Sequence, residues 1–118
     1  MSSILVVDDM EDIRFLCRLV LEGAGHEVME ASSAEEALEI IETTRPDGIL
    51  LDIRLPGMDG WEVLRILQTR EELSQIRVIV CSAHASLSER GRAQSEGADG
   101  FLTKPFPMKE LVRIFEAA

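Results

Sequence analysis

Short apolar runs alternate along this chain with longer segments in which apolar residues recur every three to four positions. Residues 4–7 form a continuous run of isoleucine, leucine and valine, which is typical of a strand buried on both faces. Within residues 11–22 the apolar positions follow the spacing i, i+3, i+4 and i+7, which predicts a helix that packs one face. These positions are Ile13, Leu16, Cys17 and Val20. The same change of period continues to the end of the sequence.

The complete pattern predicts five strands and five helices. The predicted strands are 4–7, 26–31, 48–52, 77–81 and 100–103, and the predicted helices are 11–22, 34–43, 61–68, 86–96 and from 108 to the end. Ser33 is expected to cap the second helix, with Glu36 completing a capping box. The fourth helix is predicted to be weak, because it contains Gly91 and three serines. Gly91 has two interpretations: a helix that is easily repositioned, or a site of close packing.

The strict alternation of strands and helices indicates an α/β fold with a parallel sheet. Parallel neighbours need a crossover connection, and each crossover here is a helix. The continuous apolar runs of the inner strands indicate helices on both faces of the sheet, and right-handed crossovers then restrict the topology to a few doubly wound options. The 118 residues contain no linker or repeat, and we expect a single domain over residues 1–118.

Composition and charge exclude several classes of protein. The 12 Lys and Arg residues against 22 Asp and Glu residues give a net charge of −10, which argues against direct nucleic-acid binding. No apolar run approaches the ~18 residues of a membrane span, and the N-terminus lacks a basic signal region. We therefore expect a cytoplasmic protein without a membrane segment. Cys17 and Cys81 lie in apolar runs, where small buried thiols are a better interpretation than a disulfide.

Chemically active residues stand where the predicted strands end. Asp8 and Asp9 end the first strand, Asp52 the third, Ser82 the fourth and Lys104 the fifth. The carboxyl ends of parallel strands form one edge of the sheet, so these side chains are expected to meet there. Three close carboxylates repel one another unless a cation joins them, and Mg²⁺ is the cation that such oxygen ligands suit best. An ionised aspartate beside Mg²⁺ is suited to nucleophilic attack and formation of an aspartyl phosphate.

Each residue also has an interpretation without chemistry. Asp9 could cap the helix that begins near Glu11, Asp52 could form a turn, and Lys104 could be an ordinary surface residue. Complementary groups at four strand ends favour a site over these separate explanations.

Taken together, these motifs resemble the receiver domains of two-component response regulators. The matching segments are Leu5-Val6-Val7-Asp8-Asp9, Leu50-Leu51-Asp52, Leu55-Pro56-Gly57-Met58-Asp59-Gly60, Ser82-Ala83 and Lys104-Pro105-Phe106. They follow the order and spacing of that family over essentially the whole chain. The resemblance implies a flavodoxin-like sheet with strand order 2-1-3-4-5.

The resemblance also implies roles for individual residues. Asp52 would be the phosphoacceptor, and Asp9 and Asp52 would bind Mg²⁺ directly. The backbone carbonyl of Arg54 would be a further ligand, with Asp8 acting largely through water. Lys104 would contact the phosphoryl group.

Further residues would form the switch. Ser82 would move towards the phosphoryl group, and Phe101 would repack while the surface of helix four, strand five and helix five shifts. Phe101 has no hydroxyl group, so it cannot donate a hydrogen bond in either state. Arg54 and His84 occupy positions that the family uses to set the lifetime of the phosphoryl group, although Arg54 has the alternative of simply pairing with a neighbouring acid.

The implied partners are a sensor histidine kinase or a histidine phosphotransfer protein, and a downstream output protein. Any homodimer formed on phosphorylation would use helices four and five. The chain would not be an enzyme on other molecules, since it would catalyse only its own phosphorylation and dephosphorylation. We expect a stand-alone regulator, with the receiver portion of a longer regulator or hybrid kinase as the alternative.

Competing classes fit less well. A haloacid-dehalogenase-type hydrolase needs a second carboxylate two residues after the nucleophile, where Arg54 stands. The glycine-rich motifs of nucleotide-binding proteins are absent from the sequence. A pseudo-receiver that only binds partners is the remaining alternative, and the intact set of site residues argues against it.

Overall fold

The predicted alternation of strands and helices is present in the structure. A computed structural model describes residues 2–83 and 86–116 of the chain. The strands are β1 (Ser3–Val7), β2 (Glu27–Ala31), β3 (Gly48–Asp52), β4 (Arg77–Ser82) and β5 (Gly100–Thr103). The helices are α1 (Glu11–Gly23), α2 (Ala34–Thr44), α3 (Gly60–Thr69), α4 (Leu87–Ser95) and α5 (Met108–Glu116), and a short 3₁₀ turn covers Glu71–Leu73.

The strands form one parallel sheet in the order β2-β1-β3-β4-β5. This confirms the predicted fold class and strand order. β3 lies in the centre, and all five of its residues are buried. Asp52, at its carboxyl end, is aligned with Cys81 of β4. The most central strand therefore delivers a carboxylate to the sheet edge where the predicted site residues are expected to meet.

Two cores cover the two faces of the sheet. Leu5 and Leu51 point to one face and pack with α2, α3 and Ala93 of α4. Val6 and Leu50 point to the other face and pack with α1 and α5. The continuous apolar runs of the inner strands follow from this arrangement, because successive side chains enter different cores.

The structure differs from the sequence predictions in a few local features. Ser33 caps α2 by accepting a hydrogen bond from the Glu36 N–H at 3.1 Å, as predicted. The carboxylate of Glu36, however, accepts from the backbone N–H and hydroxyl of Ser32 and not from Ser33, so the reciprocal half of the predicted capping box is wrong. The Glu36 carboxylate contacts Ser32 and not Ser33 because Ser32 offers two donors to one carboxylate oxygen. The 3₁₀ turn with its buried Leu73 was not predicted.

Helix α4 is weakly attached to the sheet. Of its nine described residues, only Ala93 is buried. A methyl group added at Gly91 would have no described atom within 4 Å apart from its chain neighbours and the backbone of its own helix, so the close-packing interpretation of this glycine is wrong. Gly91 destabilises the helix by roughly 1 kcal/mol relative to alanine, and nothing in the packing requires it.

The two cysteines are buried free thiols, as predicted. Burial, assisted by the negative charge of Asp8, raises the pKa of Cys17 to about 11. Burial likewise raises the pKa of Cys81 well above its usual value. Within the described ranges, none of the helices combines the length and the apolar character that crossing a membrane requires.

Candidate functional site

Three carboxylates meet at the carboxyl edge of the sheet. Oxygen atoms of Asp8, Asp9 and Asp52 all lie within 4.8 Å of one another. Asp8 and Asp52 are 2 % and 4 % exposed, whereas Asp9 is open to solvent. The fold therefore assembles the acidic cluster that the strand ends predicted.

Asp8 is fixed by hydrogen bonds on every side. Its backbone N–H donates to the carbonyl of Ala31 at 3.1 Å, and its Oδ1 accepts from the Met10 N–H at 2.9 Å. Arg14 donates to the backbone carbonyl of Asp8 at 2.7 Å. No sequence motif predicts this role of Arg14.

Asp9 does not cap α1. The capping position belongs to Met10, which makes no side-chain hydrogen bond to the helix. The interpretation of Asp9 as a helix cap is therefore wrong. Its carboxylate instead lies at the solvent-exposed side of the acidic cluster.

Asp52 is held through both of its carboxylate oxygens. The backbone N–H of Arg54 donates to Oδ1 at 2.9 Å, and the Lys104 ammonium donates to Oδ2 at 3.0 Å. Burial raises the pKa of Asp52 above its ordinary value, although both of these contacts oppose the shift. A partly desolvated carboxylate held in one orientation is a suitable nucleophile.

Lys104 joins the two buried carboxylates. Its ammonium lies 2.5 Å from Asp8 Oδ2 and 3.0 Å from Asp52 Oδ2. Burial opposes the charge of Lys104, but its contacts with the two carboxylates outweigh this effect and raise its pKa above the usual range. The Lys104 N–H donates to the carbonyl of Ser82 at 2.8 Å, which fixes the start of this segment, and the Lys104–Pro105 peptide bond is cis.

The predicted switch residues lie on β4 and β5. Ser82 is fully buried and aligned with Thr103. Phe101 is half-buried beneath the guanidinium of Arg90, at 4.9 Å from the ring centroid. Arg90 also donates to Thr103 Oγ1 at 2.6 Å. His84, the other predicted lifetime residue, lies outside the described residues.

The charges of the site fit a divalent cation. Three carboxylates and one ammonium leave an excess of negative charge. Carboxylate oxygens are the hard donors that Mg²⁺ and Ca²⁺ prefer, and the exposed position of Asp9 gives an ion access from solvent. The cluster can therefore hold a metal ion. The predicted ligand role of the Arg54 carbonyl stays a prediction.

Besides Arg14, a second residue near the site was missed by the sequence analysis. Glu89 of α4 accepts from Arg54 Nη2 at 3.1 Å. Its only sequence signal is an acidic residue in the first turn of a helix, which normally indicates a favourable interaction with the helix dipole.

The comparisons with known proteins agree with this geometry. Residues 4–116 match the sequence profile of the response regulator receiver domain. The chain belongs to this family. It is thus a receiver domain of two-component signalling.

Relatives of different lengths share the receiver sequence. The chain is 38 % identical to the phosphate regulon transcriptional regulatory protein PhoB of Pseudomonas aeruginosa, over 98 % of this chain and 51 % of PhoB. It is 37 % identical to sporulation initiation phosphotransferase F of Bacillus subtilis, over 93 % of this chain and 87 % of that protein. The chain thus spans about half the length of the first relative and most of the second.

Solved structures show the same fold. The chemotaxis response regulator CheY4 of Vibrio cholerae superposes with a TM-score of 0.92 at 28 % identity, covering 98 % of this chain and 97 % of CheY4. A response regulator structure from Chloroflexus aurantiacus gives the same TM-score at 33 % identity, over 98 % of this chain and 94 % of that chain.

Proposed function

We propose that Asp52 accepts a phosphoryl group from a phosphohistidine donor, with Mg²⁺ bound by the acidic cluster. The observation that carries this proposal is the environment of Asp52: a buried carboxylate, fixed through both oxygens, within 4.8 Å of the Asp8 and Asp9 oxygens. Mg²⁺, when bound, would neutralise charge on the carboxylates and on the transferred phosphoryl group.

The transfer exchanges one phosphorus bond for another. A carboxylate oxygen of Asp52 forms a bond to phosphorus, and the phosphorus–nitrogen bond of the donor breaks. The electron pair of that bond returns to the imidazole, which leaves as a neutral group if its other nitrogen carries a proton. Hydrolysis by water later breaks the new phosphorus–oxygen bond and restores the Asp52 carboxylate.

The residues around Asp52 assist by position and charge. Lys104 contacts Asp52 already, and its ammonium needs only a short displacement to pair with a phosphoryl oxygen. The Ser82 hydroxyl, at the end of β4, would donate to another phosphoryl oxygen once it turns towards the site. Phe101 on the neighbouring strand would then repack and change the surface of α4, β5 and α5.

This chemistry defines the partners that we propose. The phosphoryl donor is a sensor histidine kinase or a histidine phosphotransfer protein, and the chain acts catalytically only on its own Asp52. A separate output protein reads the phosphorylated surface, and an output domain on the same polypeptide is the alternative.

The proposal is tested by weighing the intact protein after incubation with acetyl phosphate and Mg²⁺. We expect a gain of about 80 Da, one phosphoryl group, which is lost when Mg²⁺ is chelated. Asp52→Asn should gain nothing, whereas Asp12→Asn, at an exposed acid of α1, should behave like the parent. An adduct on Asp52→Asn contradicts the assignment. Absence of both the adduct and a complex with beryllofluoride, a stable mimic of the phosphoryl group, would favour the pseudo-receiver.

A further inference from the structure

A single side chain links the phosphoacceptor loop to α4. Arg54 holds Asp52 through its backbone N–H, and its guanidinium reaches in the other direction to Glu89 Oε2. The Arg54 side chain is 60 % exposed and that of Glu89 is 12 % exposed. The second oxygen of Glu89, Oε1, is buried and makes no hydrogen bond to any described residue. Glu89 thus depends on Arg54 for the neutralisation of its charge.

Two further contacts of α4 are cationic. Arg92 lies over the ring of Trp61 on α3, at 4.2 Å from the centroid, and Arg90 lies over Phe101. Ala93 supplies the one buried apolar side chain of this helix. Surface contacts of this kind are each worth about 1 kcal/mol or less. Because α4 has few contacts and each is weak, the loss of one of them would change the position of the helix.

We propose that Glu89 is a positioning residue for the phosphorylated site: it holds the Arg54 guanidinium away from Asp52, and phosphorylation draws that guanidinium to the phosphoryl oxygens and releases α4. The inference rests on the proposed function of Asp52.

Charge and geometry favour the exchange. A phosphoryl group carries about −1.5 to −2 charges and three acceptor oxygens, whereas the Glu89 carboxylate carries one charge. The Arg54 backbone N–H is already 2.9 Å from Asp52 Oδ1, so the start of its side chain lies beside the new group. A cleft of about 490 Å³ between Arg54, Trp61 and α4 leaves the guanidinium room to turn.

The buried oxygen of Glu89 explains why α4 would respond. Without Arg54, Glu89 would be a mostly buried carboxylate with one oxygen that already lacks a partner. Such a group is strongly destabilising unless it reaches water. Movement of α4 exposes the carboxylate, and the few apolar contacts of the helix offer little resistance.

Competition for one guanidinium is reciprocal. If the phosphoryl group weakens the contact between Arg54 and Glu89, then Glu89 must weaken the binding of the phosphoryl group by the same factor. An ion pair with one solvent-exposed partner, such as Arg54, changes an equilibrium constant by up to about fivefold. Removing the charge of Glu89 should therefore tighten binding of a phosphoryl mimic.

The test is a double-mutant cycle with beryllofluoride and Mg²⁺. The variants are Glu89→Gln, Arg54→Gln and the double variant, with Glu110→Gln as a control that removes a remote exposed ion pair on α5. The ¹⁹F signal of bound beryllofluoride gives the affinity. The position of α4 is followed by the emission of Trp61, because this residue is the only tryptophan of the sequence and lies beneath Arg92.

We expect Glu89→Gln to bind beryllofluoride about two- to fivefold more tightly than the parent, and the gain to vanish in the Arg54→Gln background. The change of Trp61 emission on binding should be smaller in both single variants than in the parent. An unchanged affinity of Glu89→Gln, or an equal gain without Arg54, overturns the inference. If the parent shows no bound beryllofluoride signal, the proposed function itself fails, which is a distinct result.

Discussion

At Gly60, close to the site, the packing leaves no room for a side chain. Gly60 is the first residue of α3, and its N–H donates to the carbonyl of Ile53 at 3.1 Å. A methyl group added here would lie 2.5 Å from Ile53 Cα and 2.7 Å from the carbonyl oxygen of Asp52. Both neighbours are backbone atoms of the segment that carries the phosphoacceptor, so neither can turn aside.

We therefore expect Gly60→Ala to destabilise the protein. Overpacking of this kind costs about 1–3 kcal/mol, because backbone segments must shift apart. The same substitution at Gly91 meets open space and should stabilise α4 by about 1 kcal/mol through helix propensity. The free energies of unfolding of these two glycine-to-alanine variants should thus differ by about 3 kcal/mol. This difference corresponds to roughly 10 °C in Tm for a domain of this size.

The free energy of unfolding of each variant is measured by urea titration. Unfolding is followed by both Trp61 emission and far-ultraviolet circular dichroism. Coincident transitions from the two probes would establish two-state behaviour, which the comparison requires. The reasoning is refuted if Gly60→Ala unfolds within about 0.5 kcal/mol of the parent, the range of unremarkable surface changes. A destabilised Gly91→Ala would contradict the open space beside Gly91.

The remaining predictions concern charge, metal and thiols. Burial raises the pKa of Asp52, so the folded state binds this proton more tightly than the unfolded state, and stability falls as the pH rises through the folded pKa. Asp52→Asn should therefore raise the unfolding free energy at pH 7 in a chelator; a loss of stability in urea titrations contradicts this. Saturating Mg²⁺ should raise the urea midpoint of the parent but not of Asp9→Asn, and equal shifts would place the ion elsewhere. Because burial raises the pKa of Cys17 and of Cys81, a disulfide reagent monitored by absorbance should modify both only as fast as the protein unfolds; rapid modification without urea speaks against their burial.

The sequence predicts the parts of the fold that depend on repeated patterns. The bounds of β3 and β5 agree with prediction, because each strand is a short apolar run closed by a residue of different character. The edge of the sheet is equally predictable. Once alternation establishes a parallel sheet, strand ends must meet, and Asp8, Asp52 and Lys104 do so.

Sequence analysis allowed Arg54 to pair with an acid, but it could not identify that acid or predict other contacts between long side chains. The pair of Arg54 and Glu89 joins residues 35 positions apart, and it depends on the position of a helix with almost no apolar anchor. The stacking of Arg92 on Trp61 depends on the same placement. Hydrophobic patterning determines which face of an element is buried, but an exposed arginine has many rotamers and no pattern selects among them.

The residues that stabilise the fold differ from the residues that hold helix α4 in position. The two cores lie on the two faces of the sheet, and Ala93 is the only described residue of α4 that belongs to either of them. The position of α4 depends instead on exposed arginines, each contributing a fraction of the stability of the domain. A mutation that exchanges one of them would alter the resting position of the helix and leave the cores intact. Natural selection can thus adjust the sensitivity of the response, one surface residue at a time, without endangering the fold.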